Sequence, residues 1–142
     1  MQLMSVKSKA RKSSHSVFSI RLHLVFVTKY RKKVLNKAIL QRMETIFTDV
    51  CLKAKCQLLE FGGESDHVHL LVDLHPDNNI SNFVCSLKST ASRMLWKEFE
   101  NLLSKTYWKR VLWSSSYYVA SSGGANIEML SEYINNQNSP MS

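Results

Sequence analysis

His67 and His69 are two residues apart in the segment H-V-H-L-L-V-D-L, whose alternation of residue types is typical of a β-strand. Residues i and i+2 of a strand point to the same face, so the two imidazoles are expected side by side. Two neighbouring imidazole nitrogens can bind a divalent metal ion. Histidines in such a pattern also serve as ordinary surface or hydrogen-bonding residues, and the spacing alone leaves both interpretations open.

Tyr133 and Gln137 are four residues apart near the end of the chain, in a segment with helical periodicity, and therefore share one helix face. The side-chain carbonyl of Gln137 suits a hard cation such as Mg²⁺ or Mn²⁺. A tyrosine hydroxyl beside such a cation can attack a phosphorus atom and hold the product covalently. The same two residues could instead pack and cap the helix, because Leu130 and Ile134 beside them have the pattern of core residues.

The hydrophobic pattern predicts the elements that must position these side chains. Strands are predicted over residues 17–28, 57–61, 67–74 and 111–119. Helices are predicted from an Asn36 cap to about Ala54, after Pro76 with Asp77 or Asn78 as the cap, and after an Asn126 cap. Gly62 and Gly63 are expected to stop the second strand. The order predicts an α+β fold, a ferredoxin-like split β-α-β antiparallel sheet with an added C-terminal helix that carries Tyr133.

Length, composition and charge favour one domain with a polyanionic partner. The 142 residues are 44% hydrophobic and 21% charged, as in ordinary globular domains. The 19 Lys and Arg residues exceed the 11 Asp and Glu residues, which gives a net charge of +8. No apolar run is long enough to span a bilayer, so no membrane partner is expected. We predict a flexible basic arm at 1–16, a single domain at 17–138 and a tail at 139–142.

The three cysteines, Cys51, Cys56 and Cys85, form no C-x-x-C pair, and their number is odd. This pattern favours reduced thiols in a cytoplasm over a disulfide framework. All three have apolar neighbours, so we expect them to be small core residues rather than metal ligands.

The segment T-K-Y-R-K-K is the strongest candidate for a nucleic-acid contact. We expect Tyr30 to stack on a base while its cationic neighbours neutralise phosphates. Those neighbours are Lys29, Arg31, Lys32 and Lys33, and second-rank phosphate contacts are expected at Lys88, Arg93, Lys109 and Arg110. A merely solvated basic turn is the alternative interpretation. Tyr117 and Tyr118 are rival nucleophiles, but adjacent strand residues face opposite ways, and packing or base stacking suits them better.

Five segments, in the same order along the chain, resemble those of the single-tyrosine HUH transposases of small insertion sequences. These are the transposase A type, related to REP-associated tyrosine transposases. HUH denotes two histidines separated by a bulky apolar residue, here Val68. The segments span nearly the whole chain after the basic arm: H-L-V-F-V-T-K-Y-R-K-K-V-L, D-H-V-H-L-L-V, S-L-K, L-W-S-S-S-Y-Y-V and Y-I-N-N-Q. One departure is Ser65, where many relatives have proline, and it affects the stiffness of a turn more than the chemistry.

The resemblance implies a function and a site. His67 and His69 match the metal-binding pair of that family, Tyr133 its nucleophile and Gln137 a further ligand of Mg²⁺ or Mn²⁺. Glu64 lies where some members have an acidic residue near the metal. Such enzymes cleave and rejoin single-stranded DNA at element-end hairpins through a 5′-phosphotyrosine, and need no nucleotide cofactor. They work as homodimers that commonly combine the histidines of one subunit with the tyrosine helix of the other.

Two other functions remain in competition. The chain could be a non-catalytic basic ferredoxin-like module that binds single-stranded nucleic acid, although it lacks the aromatic RRM signature. It could also be a domesticated relative that processes chromosomal repeats with the same chemistry. Hairpins flanking the gene would identify a mobile element.

Overall fold

The computed structural model describes residues 10–13, 16–121 and 127–137. The strands are β1 (Arg11–Lys12), β2 (Val17–Phe18), β3 (Arg21–Val27), β4 (Gln57–Gly63), β5 (His67–Asp73) and β6 (Tyr118–Ser121). The helices are α1 (Lys37–Lys53), α2 (Ile80–Glu98), α3 (Glu100–Leu103) and α4 (Ile127–Asn135). β1 and β2 form a small ribbon, and the other strands form one antiparallel sheet in the order β4–β5–β3–β6. This topology confirms the predicted ferredoxin-like split β-α-β fold with an added C-terminal helix.

The two long helices form where the apolar periodicity predicted them, but only one cap was predicted correctly. Asn36 caps α1, because its side chain accepts a hydrogen bond of 2.8 Å from the Ile39 amide. Asn79, and not Asp77 or Asn78, caps α2 by accepting from the Asn82 amide at 3.0 Å. The Asn78 amide instead donates to the carbonyls of Ala54 and His75 and so holds the turn after β5. The described helices include none long and apolar enough to cross a membrane.

One face of the sheet forms the core with α1 and α2. The buried side chains of this cluster alternate along the two central strands: Leu22, Leu24 and Phe26 on β3, and Val68, Leu70 and Val72 on β5. The intervening residues of β5 therefore belong to the opposite face of the sheet. Those intervening residues include His67 and His69.

Gly62 and Gly63 are the last two residues of β4, so the strand runs two residues beyond its predicted end and stops at Gly63. They pair with His69 and Val68 of β5, and neither has a positive φ. Their lack of a side chain matters for close approach, because a Cβ atom on Gly62 would lie 2.5 Å from Cε1 of His69.

The predicted strand at 111–119 is interrupted. Trp113 forms a β-bridge with Thr28, and pairing with β3 resumes at Tyr118 opposite Val25. Residues 114–117 thus stand against only two residues of β3, 26 and 27. We call residues 114–117 the serine bulge; such bulges redirect side chains and are frequent beside active sites.

The described end of the N-terminal arm is attached to the domain. The Arg11 guanidinium lies 3.1 Å from the buried carboxylate of Asp73, donates to the Lys55 carbonyl at 2.9 Å and stacks on Phe18. Residues 1–9, 14, 15, 122–126 and 138–142 lie outside the described residues, so the predicted Asn126 cap, the tail and the domain boundaries stay predictions.

The cysteines differ in burial. Cys51 and Cys56 are buried, as predicted, whereas Cys85 is exposed on α2 and was wrongly expected in the core. Burial raises the pKa of the Cys51 thiol to about 12.

Candidate active site and nucleic-acid interface

His67 and His69 lie on the sheet face opposite α1 and α2. His69 pairs with Val25 of β3, which on its other side pairs with Tyr118 of β6. Directly paired residues of antiparallel strands point to the same face, so Tyr118 shares the face of His69 at a separation of two strands, about 10 Å.

Asp66 orients the imidazole of His67. Its carboxylate oxygen lies 2.9 Å from Nδ1 of His67, and a second pairing at 3.4 Å joins Asp66 to Arg31. An ionised carboxylate only accepts hydrogen bonds, so this contact places a proton on Nδ1, and in the neutral imidazole the lone pair then lies on Nε2. This is the tautomer that a metal ligand requires. Sequence reasoning missed this role of Asp66, although a carboxylate directly before a ligand histidine was a usable signal.

Gly62 and the neighbouring histidines define the surroundings of His69. The imidazole lies directly over Gly62. Its Cε1 and Nε2 atoms are 2.5 and 2.6 Å from the position that a Cβ atom on Gly62 would occupy. Partial desolvation of the ring against the sheet lowers the pKa of His69, although the side chain as a whole is exposed, and the nearby His67 and His23 lower it further. His69 is therefore held neutral at pH 7, as a ligand nitrogen must be.

The two histidines fit a divalent cation only in part. Glu64 is exposed at the turn between β4 and β5, where its amide donates to the His67 carbonyl at 2.9 Å. Within the described ranges, no group of three or more His, Cys, Asp or Glu side chains could hold a metal ion. A divalent cation at this pair would have two imidazole nitrogens as ligands and would need further ligands from elsewhere.

Tyr133 and Gln137 are brought together on α4 and dock on the serine bulge. The Tyr133 hydroxyl lies 2.9 Å from the Ser116 hydroxyl, and the side-chain oxygen of Gln137 accepts from Ser114 at 3.2 Å and from Ser116 at 3.1 Å. An amide oxygen has two lone pairs, so these bonds fill its capacity as an acceptor. Gln137 could bind a cation only after releasing at least one serine.

Tyr133 and Gln137 are separate from His67 and His69 in this chain. Among the described residues, none of the hydrogen bonds and ion pairs joins α4 to His67 or His69. The Tyr133 ring instead packs 5.8 Å from the ring of Tyr118, on the histidine face. Burial raises the pKa of Tyr133.

The rival tyrosines face opposite ways, as predicted. Tyr117 packs against the core, with its hydroxyl 3.5 Å from Ser81, whereas Tyr118 packs against Tyr133. Both positions suit packing.

The basic loop after β3 has an unusual backbone conformation that a hydrogen bond from Tyr107 holds in place. Tyr30 and Arg31 adopt left-handed φ angles of 60° and 53°, and the Tyr107 hydroxyl holds the loop by donating to the Lys29 carbonyl at 2.7 Å. The Tyr30 side chain is 45% exposed, with the Lys29 ammonium over its ring. A loop that presents an exposed aromatic ring and cations suits contact with nucleic acid.

Trp108, the residue after that anchoring tyrosine, is 93% exposed and was missed by sequence reasoning. The Lys109 ammonium lies 5.8 Å from its ring centre. The signal was present, because an aromatic residue directly precedes Lys109 and Arg110. We call Lys29, Tyr30, Trp108 and Lys109 the aromatic–basic surface.

Some of the other predicted phosphate contacts are exposed to solvent, and the rest are paired with groups of the protein itself. Lys33 and Arg93 are exposed and Lys32 is partly exposed. Arg110 pairs with Glu100 at 3.3 Å and Arg31 pairs with Asp66. Lys88 is half-buried and donates to the carbonyls of Ser114 and Ser116, which favours a structural role over the predicted phosphate contact.

Comparisons with known proteins agree with this fold. Residues 16–137 match the family described as Transposase IS200 like. The transposase for insertion sequence element IS200 of Salmonella typhimurium is 30% identical over 124 residues, which cover 87% of this chain and 80% of the relative. The ISDra2 transposase TnpA of Deinococcus radiodurans is 27% identical over 127 residues, covering 89% of this chain and 90% of the relative.

Two solved structures share the fold. A transposase structure from Deinococcus radiodurans has a TM-score of 0.83 at 29% identity, covering 91% of this chain and 98% of that one. A REP-associated tyrosine transposase bound to a REP hairpin has a TM-score of 0.55 at 9% identity, over 91% of this chain and 70% of that one. The fold and the matched relatives define the class as a DNA transposase with a ferredoxin-like sheet. The chain belongs to the family of IS200-like transposases.

Proposed function

We propose that the chain cleaves and rejoins single-stranded DNA at element-end hairpins through a 5′-phosphotyrosine at Tyr133. The supporting observation is the geometry of one sheet face. It carries a histidine pair with an oriented, metal-ready nitrogen, and α4 packs Tyr133 against the same face through Tyr118. A hydrolase would need no such tyrosine, because it would cleave the phosphodiester with water and form no covalent link to the protein.

Mg²⁺ or Mn²⁺ is the expected cofactor, held by Nε2 of His67 and by His69, with Gln137 as a further ligand and Glu64 nearby. Such an ion, when bound, withdraws charge from a non-bridging phosphate oxygen and stabilises the transition state. The protein's part is to present imidazole nitrogens to the ion. Asp66 orients the ring of His67 by a hydrogen bond at Nδ1, and desolvation favours the neutral form of His69.

Tyr133 supplies the nucleophile. Its hydroxyl gives up its proton to solvent as the oxygen forms a bond to phosphorus, the bond from phosphorus to the 3′ oxygen breaks, and the 3′ oxygen takes up a proton from solvent to become a 3′-hydroxyl. The phosphodiester bond energy is kept in the tyrosine ester. A second 3′-hydroxyl can therefore attack the phosphotyrosine, release Tyr133 with its proton and rejoin DNA.

A homodimer would complete the site. Over the part of the chain that the structure describes, no hydrogen bond or ion pair links α4 to the histidines. A second copy could supply the missing partner, with the histidines of one subunit facing the tyrosine helix of the other.

Hairpin binding is assigned to the aromatic–basic surface. Tyr30 and Trp108 offer exposed rings for unpaired bases, and the net charge of +8 suits a phosphate backbone. The structurally similar REP-associated tyrosine transposase is bound to a hairpin, which supports a substrate of this class.

Covalent trapping tests the proposal. The wild-type protein, incubated with the hairpin end of its flanking DNA and Mg²⁺ or Mn²⁺, should give an adduct that survives denaturing electrophoresis. Tyr133→Phe should abolish it, whereas the matched variant Tyr117→Phe should retain it. An undiminished adduct in Tyr133→Phe would show that another residue is the nucleophile.

A non-catalytic binding module is the second candidate, favoured by the exposure of Trp108 and Tyr30. Tight, metal-independent binding of the hairpin with no adduct under any metal condition would support that function instead.

A further inference from the structure

We propose that Ser116 and Lys88 position the Tyr133 hydroxyl for its attack on DNA. Ser116 does so by direct hydrogen bonding, and Lys88 by fixing the serine bulge. This inference rests on the proposed function, because it assumes that Tyr133 is the nucleophile. Both are positioning residues, since neither is required to touch the reacting phosphorus.

The direction of the hydrogen bonds follows from counting protons. Ser116 has one hydroxyl hydrogen, and the side-chain oxygen of Gln137, 3.1 Å away, has none. The Ser116 hydrogen therefore points to Gln137. In the 2.9 Å contact between the two hydroxyls, Tyr133 must then donate and Ser116 must accept.

This polarity suits a nucleophile. With its hydrogen directed at Ser116, the Tyr133 oxygen keeps its lone pairs free for another partner. The phenolic C–O bond is also held at one rotation, and Gln137 adds a second tie by donating to the Tyr133 carbonyl at 3.1 Å. Orientation of this kind lowers a barrier because the reacting atom need not be ordered in the transition state.

Lys88 holds the bulge that presents Ser116. Its ammonium donates to the Ser114 carbonyl at 2.8 Å and to the Ser116 carbonyl at 3.0 Å. In return, the Trp113 indole donates to the Lys88 carbonyl at 3.1 Å, so α2 and the bulge are tied at both ends. The interrupted pairing with β3 removes the ladder partners that these two carbonyls would otherwise have. The Lys88 ammonium on α2 therefore takes the place of the backbone hydrogen bonds that a paired strand would supply.

The test measures single-turnover adduct formation at saturating hairpin, with hairpin affinity and thermal unfolding measured on the same samples. Ser116→Ala should slow adduct formation about tenfold, the scale of one lost hydrogen bond, with hairpin affinity unchanged. Ser116→Thr, which keeps the hydroxyl, should restore most of the rate. Ser115→Ala is the matched control: Ser115 has no hydrogen bond to α4 among those described.

Lys88→Met tests the indirect role. If Lys88 acts through Ser116, the double variant should be barely slower than the slower single variant, because both changes remove the same interaction. Should Lys88→Met lower the thermal midpoint, Ser116→Ala and its threonine rescue still decide the inference alone.

The outcomes separate the two claims. A wild-type adduct that depends on Tyr133 but forms equally fast, or faster, in Ser116→Ala would overturn the positioning role and leave the proposed function standing. Equal slowing by Ser116→Thr and Ser116→Ala would also overturn it. Absence of any wild-type adduct would overturn both.

Discussion

Gly62→Ala should displace the imidazole of His69 while the fold survives. In the native strand, the ring lies where an alanine methyl group would stand: the added Cβ would be 2.5 Å from Cε1 and 2.6 Å from Nε2. Ordinary van der Waals contact begins near 3.4 Å, so the ring must retreat by about 0.9 Å. The imidazole is the end of an exposed side chain and can rotate away, so the stability cost is expected to be small.

The functional cost should be large. Metal–ligand distances tolerate deviations of only about 0.2 Å, and a misplacement of about 1 Å can cost a hundredfold in rate. We expect Mn²⁺ affinity and the rate of adduct formation to fall by about that factor. Isothermal titration with Mn²⁺, covalent trapping and a thermal melt would measure the three quantities on one preparation.

Gly63→Ala is the matched control because its added methyl group faces the core. That Cβ would lie 2.8 Å from Leu40 Cδ2, 3.0 Å from Val68 Cγ1 and 3.2 Å from the His67 carbonyl oxygen. Overpacking there should cost about 1–3 kcal/mol of folding free energy. Wild-type Mn²⁺ affinity and adduct rate in a folded Gly62→Ala protein would refute the reasoning, as would an unfolded Gly62→Ala protein.

Three further predictions use the same protein. Asp66→Asn should lower Mn²⁺ affinity about 10- to 100-fold in titration, because the His67 tautomer loses its carboxylate partner; unchanged affinity would remove Asp66 from the site. Trp108→Ala should weaken hairpin binding by about 1–3 kcal/mol in fluorescence anisotropy, with Trp108→Phe near wild type and both melting normally; equal binding by all three proteins would exclude base stacking at Trp108. In thiol titration at pH 8, only Cys85 should react before unfolding, because the Cys51 thiol, with its raised pKa, stays protonated and Cys56 is buried; rapid reaction of a second thiol would contradict the described burial.

Local pattern was enough to predict most of the secondary structure. Periodicity located α1, β5 and α2, and Asn36 was recognised as a cap, because capping depends on residues within one helical turn. The α2 cap was missed because three candidates, Asp77, Asn78 and Asn79, are adjacent. A tertiary contact settles which one caps: Asn78 is occupied by Ala54.

The same distinction applies to the site. The pairs His67 with His69 and Tyr133 with Gln137 were predictable, since each pair shares one element and its spacing fixes a common face. The roles of Gly62, Asp66, Trp108 and Lys88 were not predicted. Each depends on a neighbour that the chain brings up only on folding, or on exposure that only folding decides.

The sequence by itself determined the elements, the family resemblance and the chemical types of the candidate residues, because these follow from short-range periodicity and side-chain chemistry. Only the tertiary structure decided where the predicted strand at 111–119 bulges and which hydroxyls hold Tyr133 and Gln137. It also decided that Tyr133 and Gln137 dock apart from the histidines. Strand register and long-range hydrogen bonds set those features, and neither is encoded in the spacing of residues along one segment.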